Sequence, residues 1–273
     1  MIRVHVHESG TELLAHAGSF LAEREVLHAL LTAIAETVIA TLLSVTRGDQ
    51  VIAVAVRTPP MQPVGSWVAE EDRADAMGAL AAHFRGTPLP GVVGPAGVAE
   101  AFAHAWGGPS FLRLTLCEHA LTSVTRPSPA SGAYRAATPD DLDRLAVFAS
   151  AFVDETGLPE EDRVHATRAS LEGRLASGRL HVWEDAGEVV TMASSGGTKR
   201  VGRIGLVYTP KERRRCGYAS ALVATLAEHA LARGCIAASL STDVRNPTSN
   251  HIYRAIGFEP IGETVMIGFG APA

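Results

Sequence analysis

The chain has 273 residues, of which 47% are hydrophobic and 19% are charged, and its formal net charge is −5. This length predicts about two domains, and the composition is typical of a globular protein that buries substantial cores. The slight negative charge argues against nucleic acid as the main partner, because binding a phosphate backbone requires a basic face.

Cysteine usage and the N-terminal residues indicate a cytoplasmic protein. The odd number of widely spaced cysteines predicts free thiols rather than a disulfide framework, which fits a reducing compartment. The first eight residues lack the basic-then-apolar layout of a signal peptide. His5 and His7 would lie on one side of a strand, but no carboxylate or cysteine cluster accompanies them, so we predict no metal site. The cysteines are Cys117, Cys216 and Cys235.

The N-terminal part of the chain predicts a mixture of helices and strands. The apolar run 29–45 is about as short as the shortest membrane spans and is interrupted by Glu36, so we expect a buried helix that leads into a strand. Acidic residues at 70–72 and the Gly94-Pro95 pair each open a further helix with an apolar stripe. Strands are predicted at 51–56 and 111–116.

A segment rich in proline, serine and glycine, residues 125–132, has no apolar period and predicts a linker. It divides the chain into an N-terminal mixed α/β domain, residues 1–124, and a C-terminal domain, residues 133–273. No internal repeat is strong enough in the sequence to count.

The C-terminal domain predicts a regular series of elements. Thr138-Pro139 followed by two aspartates is a helix opening, with a capping hydroxyl and a proline at the first position. Further helices are predicted at 160–176 and from residue 219 to a stop at Arg233-Gly234. Strands are predicted at 134–137, 180–184, 189–195, 204–208, 236–241 and 264–269.

The most informative segment follows the strand that ends at Tyr208. Four basic residues lie within five positions, and Gly217 with small residues then opens an apolar helix. The first N–H groups of a helix lack intrahelical partners and carry the positive end of its dipole, so they can bind a pyrophosphate. The alternative is a solvated basic turn before an ordinary helix. The basic residues are Lys211, Arg213, Arg214 and Arg215.

A second segment predicts a short capped helix that carries a tyrosine. Asn246 can accept from N–H groups one turn on, Pro247 suits the first helical position, and Gly257 ends the helix. Tyr253 shares one face with apolar residues at helical spacing. The alternative for Tyr253 is a half-buried core tyrosine.

Together the two segments resemble the GNAT acetyltransferase superfamily. Arg214-x-x-Gly217-x-Ala219 is similar to its acetyl-CoA-binding motif, Gln/Arg-x-x-Gly-x-Gly/Ala, although Arg215 stands where many relatives have glycine. Residues 246–258 resemble its pattern Asn-x-x-Ala/Ser-x-x-Leu/Ile-Tyr-x-x-x-Gly-Phe. The resemblance runs from about residue 132 to the C-terminus and is similar to a bacterial branch with an extra N-terminal domain. It implies an α/β fold with a mixed sheet, preceded by a smaller domain that, by analogy with the two-domain relatives, is a candidate degenerate copy.

The resemblance also implies an activity, direct transfer of an acetyl group from acetyl-CoA to an amine in a ternary complex. Backbone N–H groups near residues 206–208 would stabilise the oxyanion, and Tyr253 would protonate the departing thiolate. The expected cofactor-binding residues are Leu206, Val207, Tyr208, Arg213, Arg214, Arg215, Cys216, Gly217, Tyr218, Ala219, Ser220, Asn246, Ser249 and Asn250.

The general base stays open among three carboxylates or a relay through water. Glu155 could reach the acceptor cleft, and its alternative is a solvent-facing acid. Asp243 follows a strand just before Asn246, and its alternative is a turn or cap aspartate. Glu184 is the third candidate and is favoured as structural.

The leading hypothesis is an N-acetyltransferase, and the rival is a catalytically silent module that binds acetyl-CoA or CoA. Tyr253 favours the enzyme, because binding alone needs no proton donor. A structural adaptor would leave the basic turn unexplained. The expected partner is a small-molecule or peptide amine, with no nucleic acid, membrane or metal, and no oligomer is indicated.

Overall fold

The structure is a computed structural model, which divides into two compact units that are discontinuous in sequence. The predicted domains 1–124 and 133–273 are contiguous instead, and those boundaries stay a prediction. The structure describes residues 1–37, 40–156, 163–164 and 166–271. Unit 1 comprises Met1–Glu118, Thr242–Arg245 and Pro260–Ala273, and unit 2 comprises His119–Ser241 and Asn246–Glu259.

Unit 1 contains a sheet with helices on both faces. Its strands run in the order β1-β2-β3-β4-β5-β12-β6, in which β4 and β5 are parallel and the other registered pairs are antiparallel. The strands are β1 (Ile2–His7), β2 (Thr41–Arg47), β3 (Gln50–Arg57), β4 (Val64–Gly65), β5 (Gly91–Pro95), β6 (Ser110–Leu121) and β12 (Glu259–Phe269). The helices are α1 (Gly10–Ala22), α2 (Ala29–Thr37), α3 (Glu70–His83) and α4 (Ala96–Trp106).

Strand β3 shows why unit 1 has a core on each face of its sheet. Val54 and Val56 pack with α1 and α2, whereas Ala53 and Ala55 pack with α3 and α4. Successive side chains of a strand point to opposite faces, so an uninterrupted apolar run serves two cores at once.

The last strand of the chain, β12, belongs to unit 1 because it pairs with β5. Its segment 264–268 lies antiparallel to residues 91–95. A Cβ on Gly91 would lie 2.1 Å from the carbonyl oxygen of Ile267, so only glycine permits this approach.

Unit 2 has the same kind of layered construction. Its strands run in the order β11-β10-β9-β8-β7, in which β10 and β11 are parallel and the other neighbours are antiparallel. The strands are β7 (Ala133–Ala136), β8 (Leu180–Asp185), β9 (Glu188–Gly197), β10 (Val201–Tyr208) and β11 (Ala237–Asp243). The helices are α5 (Leu142–Thr156), α6 (Arg168–Ala176), α7 (Tyr218–Ala232) and α8 (Pro247–Ile256).

Two cores flank the sheet of unit 2. Leu222 and Leu226 of α7 pack with Ile256 of α8 on one face, and Leu145 of α5 packs with Leu171 of α6 on the other. Each helix therefore buries one apolar stripe against the sheet, as its sequence period predicts.

The element order of the first half recurs in the second. The described elements run β-α-α-β-β-β-α-β-α-β from β1 to β6 and again from β7 to β12. The mixed α/β fold class predicted from the sequence is confirmed, and so is the helix-to-strand interpretation of the run 29–45, apart from residues 38–39, which lie outside the described part. The first residues of the helix predicted at 160–176 also fall partly outside it, and α6 begins at Arg168. In the described residues, no helix is long and apolar enough to cross a membrane.

Candidate cofactor and catalytic site

The candidate site begins where β10 and β11 of unit 2 stop pairing. Their parallel register covers residues 201–203 and 237–239, although β10 continues to Tyr208. The last part of β10 therefore has backbone groups that β11 does not bind, and strand ends of this kind commonly receive ligands.

A β-bulge lies in this last part of β10. Gly205 pairs with Ser194 and Tyr208 with Met192, so Leu206 and Val207 together oppose a single residue of β9. Leu206 has a φ of 50°, which is unusual for a residue with a side chain. A bulge takes peptide groups out of the ladder, and bulges are over-represented beside active sites. The predicted oxyanion donors, residues 206–208, thus lie at an irregularity rather than in a regular strand.

Residues 209–217, which we call the cofactor loop, connect this bulge to α7. Gly217 is the N-cap of α7 with a φ of 82°, and no side chain caps the helix. The first turn closes with a 2.9 Å bond from the N–H of Ala221 to the carbonyl of Gly217. The N–H groups of Tyr218, Ala219 and Ser220 precede that bond and have no partner within the helix.

The three arginines of the loop differ in what they contact. Arg213 forms an ion pair with Glu188. Arg214 donates from Nε to the carbonyl of Thr209 at 2.9 Å. Arg215 is exposed, has a φ of 64°, and forms no hydrogen bond or ion pair within the described part of the chain. Of the three arginines, Arg215 is therefore the one whose charge is available to an incoming anion.

Tyr218 anchors the start of α7. Its ring is buried, and its hydroxyl donates to Asp185 at 2.6 Å, while Ser131 donates to the same carboxylate at 2.8 Å. The bond from Tyr218 and that from Ser131 lower the pKa of Asp185. Small, half-buried Ala219 and Ser220 follow, so the first turn of α7 presents little side-chain bulk.

Cys216 is exposed, and its thiol lies 3.5 Å from the carbonyl oxygen of Arg214. This contact stays within the loop, as expected of a spacer residue.

The tyrosine helix forms as its sequence predicts. The N–H of Ser249 donates to Oδ1 of Asn246 at 3.0 Å, Pro247 is the first residue of α8, and Gly257 ends it with a φ of 106°. The capping role of Asn246 is therefore confirmed. Asn250 lies in the same first turn, with its N–H bonded to the carbonyl of Asn246.

Tyr253 lies on the buried face of α8. Its ring packs edge to face on Phe258 with 6.0 Å between centroids, and 8% of the residue is exposed. Burial raises the pKa of Tyr253 to about 12. Its hydroxyl therefore keeps its proton at neutral pH, which a general acid requires.

Each of the three carboxylates considered as general base is engaged by an arginine. Arg135 donates to Glu184 at 2.6 Å. Asp243, which belongs to unit 1, accepts from the N–H and guanidinium of Arg245, two residues on. These contacts agree with the structural alternatives for Glu184 and Asp243, and the bonds from Arg245 lower the pKa of Asp243.

Glu155, at the end of α5, contacts the last residue of β10 and an arginine of the cofactor loop. Its Oε2 accepts from Nη2 of Arg214 at 2.7 Å, and its Oε1 accepts from the hydroxyl of Tyr208 at 3.0 Å. Burial opposes ionisation, but the bonds from Arg214 and Tyr208 outweigh it, so the pKa of Glu155 lies below its usual value. Sequence reasoning missed this triangle, because its partners lie 53 and 59 residues from Glu155 and no local pattern links them.

Within the described ranges, no group of histidine, cysteine, aspartate or glutamate side chains is arranged to hold a metal ion.

Comparison with known proteins agrees with this geometry. Residues 145–258 match the model of the acetyltransferase (GNAT) family, a range that spans α5 to α8, the cofactor loop and Tyr253. No curated protein sequence matches the chain significantly.

Several solved structures share the fold at low sequence identity. A GNAT acetyltransferase from Colwellia psychrerythraea is 12% identical, with 98% of this chain and 100% of that chain covered and a TM-score of 0.58. A GCN5-related N-acetyltransferase from Sphaerobacter thermophilus is 16% identical over 97% and 94%, with a TM-score of 0.57. A tandem GNAT protein from the clavulanic acid biosynthesis pathway is 14% identical over the full length of both chains, with a TM-score of 0.58.

Proposed function

We propose that the domain of residues 145–258, which matches the model of the acetyltransferase (GNAT) family and follows a GNAT-like copy of the fold, moves an acetyl group from acetyl-CoA to a primary amine. The acceptor is a small-molecule or peptide amine, and the transfer takes place in a ternary complex. We also propose a cytoplasmic setting, which the free thiols of Cys117, Cys216 and Cys235 support.

The observation that carries the proposal is the uncapped N-terminus of α7 behind a glycine of positive φ. Its free N–H groups and helix dipole suit the pyrophosphate of CoA, and Arg215 adds a charge that nothing else in the described chain engages. Gly217 lets the phosphate approach the backbone closely.

The chemistry follows from the same elements. The neutral amine attacks the thioester carbon, the carbon–sulfur bond breaks, and the thiolate leaves with a proton. Backbone N–H groups at the bulge of residues 206–208 suit the transient oxyanion, and Tyr253 supplies the proton to sulfur. The place of Tyr253 in the motif of residues 246–258 supports this role.

Water, rather than a carboxylate side chain, takes the proton of the amine in this proposal. Arg135, Arg245 and Arg214 already bind the three candidate carboxylates, and the pKa values of Glu155 and Asp243 are lowered. A carboxylate with a lowered pKa is a weaker base, whereas water can carry the amine proton to solvent.

The test is binding of acetyl-CoA to a Gly217→Val variant. Valine strains a backbone at φ 82° and fills the space beside the helix N-terminus, so we expect binding to be lost. The matched control is Gly234→Val, which places the same side chain at a φ of 90° just beyond the other end of α7. Calorimetry on folded variants measures both, and unchanged affinity in Gly217→Val contradicts the site.

Turnover separates the enzyme from a silent CoA-binding module. We expect the wild-type chain to release CoA from acetyl-CoA only when an amine acceptor is added, with the label of the acetyl group recovered in the amine. Tight binding without transfer to any member of a broad amine panel would favour the silent module.

A further inference from the structure

A polar triangle joins the last turn of α5 to the cofactor loop. Glu155 accepts from Arg214 with one carboxylate oxygen and from Tyr208 with the other, at 2.7 and 3.0 Å. The guanidinium of Arg214 also lies 5.6 Å from the centroid of the Tyr208 ring. Both acceptor atoms of Glu155 are therefore used by groups of the β10–α7 connection.

The triangle joins the strand end before the cofactor loop to an arginine within the loop. Tyr208 is the last residue of β10, and Arg214 lies beyond the turn, bonded back to the carbonyl of Thr209 at 2.9 Å. One carboxylate thus holds Tyr208 and Arg214 in place relative to each other. Hydrogen bonds link the two ends of the segment between these residues.

The residues just after Arg214 need such support. Arg215 has a φ of 64°, a conformation that is strained for a residue with a side chain. Gly217 follows with a φ of 82°. A guanidinium held by Glu155 on one side and by Thr209 on the other keeps this strained turn in one arrangement.

The same contacts make Glu155 a poor general base. Each of its two oxygens already accepts from a donor of this region, which weakens its pull on the proton that a base must take from the amine directly or through one water. Its pKa is also lowered, which reduces its drive to take a proton.

We propose that Glu155 is a positioning residue, which holds Arg214 and through it the cofactor loop in the geometry that binds the diphosphate of CoA. This inference rests on the proposed function, because it assigns Glu155 a part in that same site. Removing the carboxylate charge leaves the acyl transfer chemistry in place but loosens the cofactor loop before the N-terminus of α7.

The experiment compares Glu155→Gln with the wild-type chain in two measurements. The first is the dissociation constant of CoA by calorimetry, which we expect to rise about tenfold. The second is the single-turnover rate at saturating acetyl-CoA across pH, which we expect to stay within about threefold with an unmoved profile. A base would show the reverse, with unchanged CoA affinity and a rate about a hundredfold lower.

Two further variants make the result specific. Asp154→Asn removes the same charge from the neighbouring residue of α5, which pairs with Arg163 instead, and we expect no change in CoA affinity. Glu155→Gln added to Arg214→Gln should weaken CoA binding no further than Arg214→Gln alone, because Glu155 acts through that arginine. Additive losses contradict the proposal.

Failure of this inference and failure of the proposed function look different. A wild-type chain that binds no CoA overturns both, whereas a wild-type chain that binds CoA with an affinity equal to that of Glu155→Gln overturns only the role of Glu155. If Glu155→Gln does not fold, Glu155→Asp keeps the charge on a shorter side chain, and we expect weaker CoA binding than in the wild-type chain with an unmoved pH profile. Wild-type affinity in Glu155→Asp would contradict the role of Glu155.

Discussion

The two halves of the chain repeat one order of elements but differ at the connection between their fourth strand and third helix. In unit 2, the cofactor loop of residues 209–217 carries three arginines and ends at an uncapped helix. In unit 1, only residues 66–69 separate β4 from α3, and the first turn of α3 contains Glu70, Glu71 and Asp72. Acids at a helix N-terminus neutralise the charge that would otherwise attract a phosphate. Neither helix has a side-chain cap, so the difference between the two helix starts is one of charge, basic at α7 and acidic at α3, and it lies in a few residues.

A second difference lies in the helices that precede the last strand of each repeat. The seventh residue of α8 is Tyr253, and the seventh residue of α4 is Phe102. Both are buried, and both pack on another aromatic ring, Phe258 or Phe84. The comparison separates the packing role of the ring, which both units keep, from the hydroxyl, which only unit 2 has.

The largest expected difference between the units is in cofactor binding itself. We expect the full chain to bind one acetyl-CoA, because unit 1 has an acidic helix start where unit 2 has the basic cofactor loop. Calorimetry or native mass spectrometry gives the ratio directly. Two acetyl-CoA per chain would mean that the difference at this connection does not control binding.

Replacing Tyr253 with phenylalanine makes α8 resemble α4. We expect the single-turnover rate to fall about a hundredfold or more, since general acid catalysis typically contributes that much, while acetyl-CoA affinity stays within about twofold. Single-turnover measurement is needed because product release can hide the chemical step.

A matched control for this prediction is Tyr134→Phe. Tyr134 bonds His181 at 3.2 Å within unit 2 and has no part in the proposed reaction. If both variants transfer acetyl at the wild-type rate, Tyr253 is only the core tyrosine that its burial also permits, and the thiolate takes its proton from water.

Local signals predicted much of unit 2. The cap at Asn246, the stop at Gly257 and the strands later found as β8 to β10 follow from spacing, capping and apolar period, which depend on neighbouring residues. Helix α1 and strand β5 were not predicted from local patterns, although both contribute to the cores of unit 1. Short apolar strands next to a helix opening are ambiguous by period alone.

Long-range features could not be predicted. The pairing of β12 with β5 joins distant parts of the chain. The bulge places Leu206 at a positive φ, a conformation that favours glycine. The N-terminal copy was expected only from the resemblance, because the two halves share an order of elements and no residue pattern strong enough to count as a repeat. The contact between Glu155 and Arg214 depends on how α5 packs on the sheet, which no motif encodes.

A charge reversal at Arg215 tests the electrostatic part of the comparison. Arg215→Glu gives the start of α7 the sign found in α3. We expect acetyl-CoA to bind about tenfold more weakly, since the reversal removes one attraction and adds one repulsion, each of about 1 kcal/mol or less for an exposed charge near a phosphate. The loss should shrink at high salt. Arg179→Glu, an exposed arginine before β8, is the control. Equal weakening in both variants would indicate a general effect of net charge.

The smallest expected effect is a dependence of stability on pH that arises in unit 2. His181 is buried between Tyr134 and Ser195, with ring-nitrogen contacts of 3.2 and 2.7 Å. Burial, with the nearby charges of His229 and Arg233, lowers its pKa from 6.5 to about 4. The unfolded chain therefore binds more protons between these two values, and the stability present above pH 6.5 is lost as pH falls toward 4.

Allowing for partial solvation, we expect the free energy of unfolding to fall by about 1 kcal/mol between about pH 7 and pH 5 because of His181. Burial also lowers the pKa values of His5 and His7 in unit 1, so the whole chain loses stability in the same direction. His181→Gln should remove the part of the pH dependence of the urea midpoint that His181 causes. His83→Gln, at an exposed position of α3, should leave the pH dependence unchanged. An undiminished slope in His181→Gln would place the acid sensitivity in unit 1, where the histidines of β1 lie, and would make the buried histidine of unit 2 irrelevant to it.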